Sequence, residues 1–222
     1  MPFAVNTSMV VDLASTLVSL TGAEGSASHA YTHSYELNAD PLATRNIADV
    51  LHLLSMLHGT QPGLIELAAA RNVDPSADLW FAMAAAGFAV EREYLTQLIV
   101  AAGPTPGTPG EAETAAAVLG QRHALEMIAQ SDRFGCAIGA SAALALDWQA
   151  IRAVLDTAAE RMSIPIPVCI LPDEPATAML LGSLSDRPRL DRALTFGARQ
   201  LLLQHYGLWE LLDARQGARG AN

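Results

Sequence analysis

The chain has 222 residues, of which 51% are apolar and 16% charged, and its net charge is −10. That length can bury a substantial core, while the acidic balance excludes the basic face that nucleic acid or an anionic membrane surface would need. All thirteen basic residues are arginine, so Schiff-base and P-loop lysine chemistry are excluded too.

Taken in chain order, the first predicted helix runs from Asn6 to Leu20, capped by "NTS" and ended by "TGAEGSAS". The N-terminal stretch has a small-residue exit, but it lacks the basic start of a signal peptide and Asp12 interrupts it. A loop carrying His29, His33 and Glu36 follows. The second helix begins after Pro41, reads "LATRNIADVLHLLSMLH" and stops at Gly59. Pro62 opens a short helix, as proline suits a first helical turn. A long apolar helix extends from "DPSAD" to Ala102, and "GPTPGTPG" breaks the chain after it.

Residues 111–130 form the next predicted helix and 133–161 the longest one, with only "SDR" between them. "SIPIPVCILPDEP" then makes an irregular strip over 164–174. A short helix over 175–184 precedes a last helix, 190–213, whose tail "RQGARGAN" is expected to fray. The apolar runs fall short of the ~20 residues that cross a bilayer, so no membrane span is expected. The whole pattern predicts one all-α domain over 1–222, an antiparallel bundle of long helices with an N-terminal helix and loop in 1–40. Cys136 and Cys169 have neither metal-ligand nor disulfide-scaffold spacing, which suits reduced thiols in the cytoplasm.

Ionisable residues on apolar faces mark candidate sites, because a buried charge is costly unless it is paired or bound. Glu91 is in line with Trp80, Ala84 and Gly87, and Asp147 with Cys136, Ala140 and Ala143. Asp49 and His52 stand one turn apart, as do His123 and Glu126, a spacing that can hold one metal ion. Their geometry predicts a polar seam, with His123, Glu126 and Asp147 facing inward, Glu91 approaching them, and an arginine such as Arg122 or Arg152 as partner for Asp147. Core packing suffices to explain His205 and Trp209, four residues apart on the last helix.

Long helices carrying Glu91, His123, Glu126 and Asp147 in sequence resemble the ferritin-like bundle superfamily over residues 43–160. Metal-binding members of that superfamily need Glu-x-x-His pairs, and this chain contains none. "LHGTQPG" and "QRHALEMIAQSDRFGC" resemble an uncharacterised bacterial family with no known activity to carry over. The expected function is therefore a ligand-binding or interaction module without a resident cofactor, taking a small apolar ligand or forming a homodimer. The alternative is an enzyme holding iron, manganese or zinc among Asp49, His52, Glu91, His123, Glu126 and Asp147.

Overall fold

A computed structural model describes residues 13–40, 43–184 and 188–220. Among the described residues there are helices and irregular segments but no strand. Helix α1 (Leu13–Glu24) leads through two 3-10 turns into the single-turn α2 (Tyr35–Asn38), then α3 (Ala43–His58) and the short α4 (Leu64–Ala70). Three long helices follow, α5 (Asp78–Ala102), α6 (Glu111–Ala129) and α7 (Cys136–Met162), and α8 (Glu174–Leu184) and α9 (Pro188–Gly220) close the chain.

Two boundaries differ from the expectation. Helix α1 continues four residues past Leu20 to Glu24, while its predicted start at Asn6 lies outside the described residues. Helix α9 does not fray after Asp213 but runs to Gly220. The reason is tertiary: Arg215 and Arg219 both bind the buried carboxylate of Asp49 on α3. Ion pairing there overrides the weak helix propensity of a glycine-containing tail.

The contacts also fix helix direction. Phe88 meets Trp148 and Tyr94 meets Asp156, so α5 and α7 run the same way. Gly139 abuts Leu194 and Asp147 abuts His205, so α7 and α9 are parallel as well. Helix α3 opposes α9, since Asp49 meets Arg215 while His58 meets His205. The intervening elements, α6 and then the 163–173 strip with α8, return the chain between the parallel helices.

Helices α7 and α9 approach most closely because small residues line their contact. A Cβ on Gly139 would fall 2.0 Å from the Leu194 carbonyl oxygen, and one on Gly197 would fall 1.9 Å from that of Cys136. The "GASAA" run is thus a packing face, with Gly139, Ala140, Ser141 and Ala142 all buried. Among the described residues one apolar core joins α1 through α9, and the indoles of Trp148 and Trp209 are enclosed within it. Helix α7 is the one described helix long and apolar enough to cross a membrane, and 78% of its apolar window is buried inside the protein.

Candidate functional site

Alternation at three and four residues turns Cys136, Ala140, Ala143, Asp147, Ile151 and Val154 to the interior of α7. Asp147 therefore sits in the core, 1% exposed. The carboxylate accepts from the Ser26 backbone N–H at 2.8 Å and the Ser26 hydroxyl at 2.6 Å. A third bond, at 2.6 Å, joins it to His205 Nδ1 on α9. Gly25 makes this possible, because a Cβ there would lie 2.3 Å from Asp147 Oδ1. The 3-10 turn at Ser26–Ser28 then presents its first N–H to the acid.

His205 is fully enclosed, and its Nε2 lies 2.8 Å from His58 Nε2 at the end of α3. The His58 ring is held edge-on against Phe88 and Trp148, with centroids 5.9 and 5.6 Å away. Burial, and after it the neighbouring His205 and Arg92, hold the His58 pKa well below the usual histidine range. His58 also lines a narrow cleft between the α3–α4 turn, α5 and α6, shared with Pro62, Gly63, Phe88, Arg122 and Glu126. The free space at this cleft is about 10 Å³, on the scale of a single water.

A second polar group lies beside the first. Glu91, with no exposed surface, accepts from Trp148 Nε1 at 3.0 Å and from Arg152 at 2.7 Å. Arg152 in turn binds Asp156 at 2.6 Å and lies over the Tyr94 ring. Burial alone would lower the Arg152 pKa, but the Asp156 hydrogen bond and the charges of Glu91 and Asp156 outweigh it and raise the value. Burial, reinforced by the hydrogen bond to Asp156, pushes the Tyr94 phenol upward. Arg92 makes a separate ion pair with Glu66 of α4 and stacks on Phe88.

The six residues singled out from sequence are not brought together. Asp49 is committed to Arg215 and Arg219, and His52 Nε2 bonds the Gly103 carbonyl at 2.8 Å. Glu91 and Asp147 are buried as expected, but in separate clusters. His123 does not face inward: its side chain is 73% exposed and stands 3.8 Å from Glu126. Glu126 is half-buried at the rim of the cleft, where it also meets Arg122 at 3.4 Å. The partner of Asp147 is a histidine and a serine, where an arginine was expected; Arg152, one turn further along α7, is taken by Glu91. Among the described residues no group of three His, Cys, Asp or Glu could hold a metal ion. Ser26, His58 and His205 are what sequence reasoning misses. The available signal is weak: a histidine on the otherwise apolar stripe of Leu201, Leu202, Leu208 and Trp209.

Fold and site together define an all-α protein with a polar chain buried through its core and one histidine of that chain bordering a cleft. The family described as "Family of unknown function (DUF6975)" matches residues 21–220, and the chain belongs to it. Ser26, His58, Glu91, Asp147, Arg152 and His205 all lie within the matched stretch. No curated protein and no solved structure matches the chain.

Proposed function

We propose that the protein is a binding module for a small apolar ligand, seated between the N-terminal end of α5 and the length of α8. The observation that carries this reading is a cleft of about 390 Å³ lined by Leu79, Trp80, Met83, Met179 and Leu180, with Ser76 and Ser183 as polar residues. Small-molecule pockets are of this size and character, mostly apolar with a few placed hydroxyls. Leu79 and Met179 are 73% and 77% exposed, so a ligand covering them would remove apolar surface from water. The Trp80 indole donates to Thr177 Oγ1 at 3.3 Å, which ties the pocket's two helices together.

Within the same reading the helices form a ferritin-like bundle variant, supported by four helices of 19 to 33 residues. The compartment is the cytoplasm, supported by two free cysteines. Titration calorimetry with decanoate tests the binding claim. Saturable binding with a negative heat-capacity change is expected, and its loss in the Leu79→Asp, Met179→Asp double variant. No saturable heat from the native chain overturns the reading. Sedimentation tests the other use of these side chains: a species of twice the 23.4 kDa chain mass that disappears in the double variant marks a homodimer contact instead.

A further inference from the structure

The buried chain of His58, His205, Asp147 and Ser26 dictates where its protons sit. Asp147 already accepts both Ser26 donors, and its remaining bond to His205 is satisfied by an Nδ1–H on that ring. In a neutral imidazole the other nitrogen is then an acceptor, so His205 Nε2 must receive a proton from His58 Nε2 across the 2.8 Å contact. That leaves His58 Nδ1 with a lone pair and no hydrogen-bond partner among the described residues. His58 is 5% exposed, and what exposure it has borders the cleft shared with Phe88, Gly63 and Arg122.

A second buried group without a partner lies on α5, behind the cleft wall. Arg92 Nη1 is buried without a partner, although Nη2 of the same guanidinium is paired with Glu66 and Nε faces the Gln61 amide. It comes within 3.5 Å of where Gly63 would carry a Cβ and stacks on Phe88, two residues of the cleft wall, but Arg92 itself stands behind that wall. A group that donates to His58 satisfies its free acceptor, and the space at the cleft is that of one water.

We propose that this cleft seats a water on His58 Nδ1, with His205 and Asp147 as the acceptor chain for its proton. The water proton passes to His58 Nδ1, the His58 Nε2 proton passes to His205 Nε2, and the positive charge comes to rest beside the Asp147 carboxylate. The oxygen so freed forms a bond to an electrophilic carbon such as an ester carbonyl. The ester C–O bond then breaks, and the departing oxygen recovers the proton by the reverse path. Arg122, paired at the rim with Glu126, is the charged donor positioned to meet an oxyanion there. His58 is the base in this scheme, and Asp147 and His205 are positioning residues.

This site is separate from the apolar pocket of α5 and α8, so its failure leaves that reading untouched. Nitrogen NMR of the histidine rings in the native chain is expected to show His58 Nδ1 unprotonated, and Asp147→Asn is expected to move the proton onto it. A protonated Nδ1 in the native chain, or no change in Asp147→Asn, overturns the proposal. With p-nitrophenyl acetate as probe, turnover is expected to saturate and to fall at least tenfold in both His58→Gln and Asp147→Asn. His123→Gln, at an exposed histidine outside the site, is expected to keep the native rate. Equal rates in native and His58→Gln protein overturn the activity. With glycerol added, acetate is expected as the only acyl product, since the space admits one water, and acetylglycerol among the products overturns the seating of water at His58.

Discussion

Asp147 and Glu91 are two carboxylates of the same interior, 1% and 0% exposed, yet they are held in opposite ways. Glu91 is matched by charge: Arg152 binds it, and Asp156 binds Arg152 from the other side. Asp147 meets no arginine among the described residues, and a serine N–H, a serine hydroxyl and an imidazole surround it. The first arrangement closes on itself, so it can fix how α5 and α7 pack but has nothing left to exchange. The second continues through His205 to His58 and ends beside a cleft. A chain of imidazoles that both donate and accept can pass a proton along; a charge held by a fixed cation offers no such path.

The largest expected effect breaks the closed cluster. Glu91→Ala strands the Arg152 guanidinium and leaves the Trp148 N–H unpaired. Removing one member of a buried ion pair costs about 3–5 kcal/mol, so urea denaturation should show a loss near 4 kcal/mol. Replacing both partners, Glu91→Leu with Arg152→Met, should recover most of that loss, since the uncompensated charge goes with them. If the single variant loses under 1 kcal/mol, the cluster is wetter than its burial implies and the contrast with Asp147 collapses.

The next effect belongs to the relay. His58 is packed against His205 of α9, Arg92 of α5, and Arg122 and Glu126 of α6, with Asp147 of α7 behind His205. Burial holds its folded pKa well below the unfolded value of about 6.5. Above that pH the ring is neutral in both states and contributes no pH dependence. Below it the unfolded chain binds a proton that the folded chain refuses, so stability falls as pH drops. The slope from one such group reaches about 1.4 kcal/mol per pH unit. His58→Gln should flatten the native stability profile by about that slope below pH 6.5. Identical slopes in urea titrations of the two proteins would show that His58 is not the group held neutral.

Helix positions were legible in the sequence because apolar runs and breakers are local: "GPTPGTPG" ends α5, and Pro62 precedes the first turn of α4. The burial of Glu91 and Asp147 was legible for the same reason, since each is on an apolar stripe at helical spacing. Partners were not. Asp147 binds Ser26, 121 residues away, and His205, 58 residues away, and nothing in local periodicity encodes those pairings. The neighbours of each helix were likewise not legible, because α7 packs directly on α9 across the return path of α8. The end of α9 misled for a related reason: the tail's glycines read as a terminator, and the Asp49 that holds Arg215 lies 166 residues away.

The smallest expected effect separates a buried histidine from one that merely shares its spacing with a carboxylate. His123 and Glu126 stand one turn apart on α6, as a ligand pair would, but the imidazole is 73% exposed and 3.8 Å from the acid. An exposed pair at this spacing contributes about 0.2–0.5 kcal/mol, and alanine recovers part of that through its better helix propensity. Glu126 also keeps Arg122 as a neighbour at 3.4 Å, so its carboxylate is not orphaned when the ring is removed. His123→Ala should therefore leave the urea midpoint unchanged to within about 0.5 kcal/mol. It should also retain the full acid-side slope that His58→Gln loses. A loss above 2 kcal/mol would require a partner surface covering this face of α6, because nothing among the described residues buries the ring. The same variant thus serves as the baseline for the relay, because it removes an exposed imidazole that makes no contact with His58, His205 or Asp147.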